Sequence, residues 1–274
     1  MGDIKLICWN VRGLNCAARR EAVKISLQQA RPDIVCLQET KLDSIDRFLA
    51  LEFLGPACMG FEYLAAESTR GGILVAWDQN LIQAGAPRRQ RFSISIELTM
   101  KLSNESFLLT SVYGPTDDSL KSLFLNELVH CQPMAGIAWL CLGDFNMICE
   151  ARDKNNDNIN RRNMGRFRRA LDASELIEIR LLNRRYTWSN GWACPTLVHL
   201  DRIFCNKDWD SIFPAVSLLA LSRSYQITPL STYALNKGRQ GRSVSNLNNS
   251  GHVCQPSWTL LPLLGVVLSE ELRH

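Results

Sequence analysis

Asn10, Glu39, Tyr113, Asp144, Asn146 and Asp201 are residues of the types that handle phosphate, and each lies at or near the end of a short apolar run or inside one. IKLICW runs into Asn10, IVCL into Gln38 and Glu39, FLLTSV into Tyr113, and AWLCL into Gly143, Asp144, Phe145 and Asn146, while Asp201 lies inside HLDRIFC. If these run ends converge, carboxylates and amides gather at one rim. Hard oxygen donors of this kind suit Mg²⁺, with Mn²⁺ as the alternative, because such ions prefer oxygen and keep water for a substrate phosphate. The set does not suggest a zinc site built on histidine and cysteine.

Each residue also has a purely structural reading. Asn10, followed by Gly13, reads as a strand-to-turn asparagine, and Glu39 as a solvated loop carboxylate. Asp144 and Asn146 can stabilise a turn with their own side chains. Asp201 resists such a reading, because a carboxylate inside an apolar run needs a partner or a metal. Strand alternation would put His199 on the same face as Asp201, although an edge-strand histidine is the plainer account. Arg162, Arg166 and Arg169 would share one helical face, which could follow a nucleic-acid backbone or simply meet water. Arg161 and Arg168 lie beside them, and smaller basic groups occur at Arg88, Arg89 and Arg91 and at Arg184 and Arg185. Trp188, next to Thr187 and Asn190, reads as a substrate contact or a half-buried aromatic.

The elements that must position these residues are mostly strands. Short apolar runs that stop abruptly suit strands buried on at least one face, and GGILVAW and SISIEL add two more. Helical spacing is predicted for Val23, Leu27 and Ala30 after a cap at Asn15, and for Leu120, Leu123, Phe124 and Leu128 after Asp117 and Asp118. Met164, Phe167 and Leu171 mark a third helix. Helical connections mixed with direct strand-to-strand turns, as from Gly71 to Val112, predict a mixed two-sheet sandwich with outer helices.

With 274 residues, 46% of them hydrophobic, the chain can bury a substantial core. A net charge of +4 permits a phosphate-rich partner without requiring one. The ten cysteines include no C-x-x-C pair and read as small buried hydrophobes of a reducing compartment. Neither a secretory leader nor an apolar run of the ~20 residues that span a bilayer is evident. A soluble intracellular protein, nuclear or cytoplasmic, is expected.

Taken in order, ICWNVRGLN, DIVCLQET, SVYGP, LGDFN, YTWSN and HLDRIF resemble the motif series of the endonuclease/exonuclease/phosphatase superfamily. Their wording and spacing are most similar to the endonuclease domains of plant LINE-type (non-LTR) retrotransposons, which are apurinic-endonuclease-like. The resemblance implies a four-layer α/β sandwich, DNase I-like, with two mixed β-sheets flanked by helices over residues 1–230. It leaves 231–274 as an off-family segment, expected to be a flexible tail after a domain that lacks its last strand.

By the same resemblance, Glu39 is the principal ligand of a single Mg²⁺, supported by Asn10 and Asp201. Asp144 orients or deprotonates the attacking water, Asn146 and Tyr113 meet the scissile phosphate, and Asp201 supports the constellation. Asn10 and Thr187 lie near the substrate; Arg162 and Arg166, on the strength of their helical face and not of the resemblance, are expected to hold the phosphate backbone of DNA. The implied protein is a monomeric Mg²⁺-dependent DNA endonuclease that engages no membrane. In one respect the pattern departs: the family closes its site with Ser-Asp-His before a Thr-Pro-Leu-like strand, and here Tyr225, Gln226 and Ile227 precede Thr228, Pro229 and Leu230. Isoleucine can neither donate a hydrogen bond nor carry charge. Impaired cleavage is expected, the alternatives being a non-catalytic nucleic-acid-binding or vestigial domain, or a phosphatase acting on small phosphorylated substrates.

Overall fold

A computed structural model describes residues 4–67, 70–214, 216–221 and 263–268. The chain begins β1 (Ile4–Asn10), α1 (Ala17–Ala30), β2 (Ile34–Gln38), α2 (Arg47–Leu54), β3 (Gly60–Glu67) and β4 (Arg70–Trp77). It continues through β5 (Ile82–Ala84), β6 (Arg88–Arg89), β7 (Ser93–Met100), β8 (Ser106–Tyr113), α3 (Lys121–His130) and β9 (Trp139–Asp144). After α4 (Arg161–Ala173) come β10 (Ile177–Glu178), β11 (Trp188–Ser189), β12 (Leu197–Val198) and β13 (Asp201–Cys205). The last elements are α5 (Lys207–Ile212), β14 (Val216–Leu221) and β15 (Leu263–Leu268).

All the strands but β11 and β12, which pair with each other, form two mixed sheets. The first has the order β14-β15-β1-β2-β4-β3, and the second β10-β13-β9-β8-β7-β5 with β6 on β7. Within them β1 pairs with β2, and β8 with β9, in parallel, while the remaining pairs are antiparallel. Leu263–Leu268, inside the segment read from sequence as a tail, pairs with both β14 and β1.

Three apolar clusters define four layers. Residues of both sheets, among them Leu6, Ile34, Ile96, Leu109, Leu140 and Ile203, pack in the central one. Val23 and Leu27 of α1 and Phe53 of α2 cover the outer face of the first sheet, and Phe124 of α3 and Phe167 of α4 cover that of the second. This is the four-layer α/β sandwich expected from the motifs, of the DNase I-like kind.

Local details differ from expectation in two places. Helix α1 is capped at Cys16 without a side-chain hydrogen bond, so Asn15 is not its cap. Asp117 instead caps a short 3₁₀ turn, Asp118–Leu120, accepting from the Ser119 N–H at 2.8 Å, and that turn leads into α3.

Candidate active site

Strand periodicity explains how the polar residues meet. Successive side chains point to opposite faces. Along β1, Leu6 and Cys8 enter the central core while Ile7 and Trp9 face α1 and α2. The next inward position is Asn10. The same alternation places Ser111 and Tyr113 beyond Phe107 and Leu109, Asp144 beyond Leu140 and Leu142, and Asp201 ahead of Ile203 and Cys205. All these polar residues project between the sheets at one end.

Register completes the convergence. Asp144 is paired with Tyr113 on one side and with Asp201 on the other. Across the gap between the sheets, Asn10 Nδ2 donates to Asp144 Oδ2 at 2.8 Å. The Asn146 backbone N–H donates to Asp144 Oδ1 at 2.9 Å, and Asn146 Nδ2 donates to the Gly114 carbonyl at 2.8 Å. Gln38 ties the sheets together just below, donating to Ser111 Oγ at 3.1 Å. A buried bond to a charged acceptor contributes about 1.5–3 kcal/mol, so Asn10 is a fixed support of Asp144 as well as the strand-to-turn asparagine expected, its Oδ1 accepting from the Arg12 N–H at 3.1 Å.

Two glycines allow this closeness. A Cβ on Gly143 would lie 2.0 Å from the Val112 carbonyl oxygen, and one on Gly114 would lie 2.2 Å from that of Phe145. Of the seven non-glycine residues with positive φ among the described residues, Arg12, Glu39, Lys41 and Asn146 all belong to these loops. Such backbone costs on the order of 1–3 kcal/mol per residue and persists where the surroundings over-determine it.

The electrostatics follow from burial. Asp144 is pushed up to about 6, by desolvation first and by the nearby Glu39 charge, against the bonds from Asn10 and Asn146. Asp201 is driven well above the carboxylate range by burial and then by Asp144. Burial, with Glu39 and Asp144, also raises Tyr113, whose hydroxyl hydrogen-bonds to Glu39 and so stays protonated. Arg12 opposes all three upward shifts. Lys41 Nζ lies 2.9 Å from Glu39 Oε1, and Lys121 Nζ donates to the Asn146 carbonyl at 3.2 Å. Arg12, Lys41 and Lys121 were not singled out by sequence, and only their proximity to motif residues marked them.

Thr187 is buried, and its Oγ1 accepts from the N–H groups of Leu200 and Asp201, each at 3.0 Å. Its hydroxyl also bonds to the Asp201 carboxylate. Arg162 and Arg166 lie on α4 in the outer layer, where Arg166 donates to Ser122 Oγ at 3.1 Å and Arg162 is exposed. The helix is linked to the rim through its cap, since Asn160 Nδ2 reaches Asp118 and Asp118 pairs with Lys121. His199 departs from the expectation of a face shared with Asp201. Strand β13 begins only at Asp201, and the His199 ring lies 4.0 Å from both Asp153 and Glu178, beside Arg202. Tyr225, Gln226 and Ile227 lie outside the described residues.

Among the described residues no three His, Cys, Asp or Glu side chains form a ready-made metal cage. Mg²⁺ does not require one, since it retains several waters and takes one or two carboxylates. The residues present fit it: the donors are oxygens, and Asp144, Asp201 and Tyr113 are all raised, by burial first and then by negative neighbours whose charge a cation would offset.

The two-sheet sandwich thus carries a carboxylate-and-amide rim at one end of both sheets. The profile of the Endonuclease/Exonuclease/phosphatase family matches residues 7–229, and the chain belongs to that family. Similar solved structures include the AP endonuclease LMAP from Leishmania major, at 16% identity and a TM-score of 0.60, covering 80% of this chain and 83% of that one. The endonuclease domain of TRAS1, a telomere-specific non-LTR retrotransposon, is 12% identical with a TM-score of 0.58, covering 78% of this chain and 90% of that one. D. rerio TDP2 complexed with single strand DNA product is 14% identical with a TM-score of 0.58, covering 83% and 93%. At these identities the likeness establishes the fold. No helix among the described residues is long and apolar enough to cross a membrane.

Proposed function

We propose that the chain is a Mg²⁺-dependent DNA endonuclease domain of LINE-type retrotransposon origin, from the plant branch, whose turnover is impaired. The observation that carries the reading is the placement of Asp144 between Tyr113 and Asp201, bonded across the sheets to Asn10. Asp144, ionised above about pH 6, accepts a proton from an attacking water or orients it. Asn10 and the Asn146 backbone hold the carboxylate in place, so little reorganisation is needed during attack. Tyr113, protonated at neutral pH, can donate to a phosphoryl oxygen. Thr187 fixes Asp201. Glu39, Asn10 and Asp201 are the candidate holders of the cation, which when bound would neutralise charge on the phosphoryl oxygens. Arg162, exposed, and Arg166, half-buried, are the candidate contacts to the DNA backbone.

Ile227 supports the impairment. Loss of one preorganised donor costs ~10²–10³ in rate and loss of a general acid or base ~10²–10⁴. The motifs favour a nuclease over the small-substrate phosphatase, and Ile227 keeps a purely nucleic-acid-binding role as the second reading. Nicking of supercoiled plasmid with Mg²⁺ tests the proposal: slow nicking that Asp144→Ala abolishes is expected. Equal rates for the chain and for Asp144→Ala would overturn it in favour of binding alone.

A further inference from the structure

Two adjoining cavities, about 740 and 240 Å³, meet at Arg184 and Arg185, which line both, and together make up a trough. The larger is also lined by Glu178, Arg180 and Arg202, and the smaller by Tyr186, Thr187 and Trp188. Thr187 lines the smaller cavity and supports Asp201, so one residue links the trough to the rim.

The charges in its walls do not cancel. Arg202 is buried and satisfies Asp153 and Glu178, while Arg152 pairs with Glu150 at 2.5 Å. Arg180, Arg184 and Arg185 are exposed and form no ion pair among the described residues. Arg185 is held in place, its guanidinium 5.3 Å from the centre of the Tyr186 ring and donating to the Arg152 carbonyl at 3.2 Å. Trp188 is half-buried at the rim end.

Three uncompensated guanidinium groups interleaved with two aromatic rings in a concave trough match what a single strand needs. Cations follow its phosphates while rings stack its bases. A duplex presents its phosphates on a convex surface and keeps its bases stacked inside, so a trough with aromatic walls suits it poorly. We propose that the trough formed by Arg180, Arg184, Arg185, Tyr186 and Trp188 binds a single-stranded segment of nucleic acid leading to the catalytic rim. The proposal rests on the nuclease reading for its purpose and on the trough alone for its binding. It is separate from the α4 arginines.

The test uses the full chain with EDTA, a fluorescent oligothymidylate and a duplex of the same length, with anisotropy read between about 50 and 200 mM salt. Each phosphate contact to a single strand contributes roughly 0.7 to the slope of log affinity against log salt. Arg184→Ala/Arg185→Ala should therefore lower the slope by about 1.4, so that a fourfold rise in salt costs about sevenfold less affinity than in the parent. Single-strand binding should weaken more than duplex binding. Arg184→Gln/Arg185→Gln, which keeps polar side chains at both positions, should behave alike, and near-UV circular dichroism checks that both variants are folded. An unchanged slope, equal weakening of single strand and duplex, or no binding of oligothymidylate by the parent would overturn the trough. Plasmid nicking is scored separately. Nicking by a parent whose slope the variants leave unchanged sinks the trough alone, and the expected slope change without nicking supports the trough and sinks the nuclease reading.

Discussion

Replacing His199 by glutamine should remove a pH-dependent penalty of about 3 kcal/mol and leave nicking untouched. The His199 ring lies 4.0 Å from Asp153 and from Glu178, yet its pKa is pushed down from 6.5 to about 4 by burial first and by the Arg202 cation second. The unfolded chain therefore takes up a proton below about pH 6.5 that the folded chain refuses until about pH 4. The stability tied to His199 is complete above pH 6.5 and is lost as pH falls toward 4. A displacement of roughly 2.5 pH units, at about 1.4 kcal/mol per unit, gives about 3 kcal/mol. Asp144 works in the opposite sense, since its raised pKa means that stability falls as pH rises from about 4 to about 6. The parent curve mixes such contributions, and the difference between parent and variant isolates His199. Urea unfolding of both across this range should show His199→Gln gaining about 3 kcal/mol on the parent at the acid end relative to neutral pH. A difference that stays constant with pH would refute the reasoning. Because the ring faces Asp153 and Glu178 instead of Asp144, the plasmid nicking rate should not change. A fall of about tenfold or more would mean that His199 substitutes for the absent family histidine.

Three other outcomes are expected. Arg202→Met should cost about 3–5 kcal/mol in urea unfolding, because it leaves Asp153 and Glu178 without their buried cation, and adding Glu178→Gln should recover part of the loss. Gly143→Ala forces a Cβ to within 2.0 Å of the Val112 carbonyl oxygen, so it should separate β8 from β9 and either unfold the chain in a thermal melt or abolish nicking in the folded fraction. Gln226→Asp combined with Ile227→His should raise Mg²⁺-dependent nicking by about 10²-fold or more, and unchanged turnover in the folded variant would mean that further positions are impaired.

The site was legible in sequence where a local rule governed it. Apolar runs that break at Asn10, Glu39, Tyr113 and Asp144 announce strand ends, and period-2 alternation then fixes the face. What joins them is non-local. The bond from Asn10 to Asp144 spans 134 residues, and no run or cap reveals it. Alternation does not carry to His199, because β13 begins two residues later and no strand runs through that position. Arg202 gave no sign of burial, since its partners Asp153 and Glu178 lie in another segment. Gly60–Glu67 forms the edge of the first sheet, yet charged and small residues interrupt its pattern and leave no strand signal in the sequence.

Strand β15 pairs Leu268 with Ile4, joining positions more than 250 residues apart. During synthesis β1 therefore emerges well before β15, and more than 250 residues must follow it before this flank is hydrogen-bonded. Closing so long a loop is entropically slow, and an unpaired strand flank is a template for other chains in the meantime. A ribosome that stalls or terminates before Leu263 would release a polypeptide carrying every strand-borne polar residue of the rim but with one side of β1 still open to self-association.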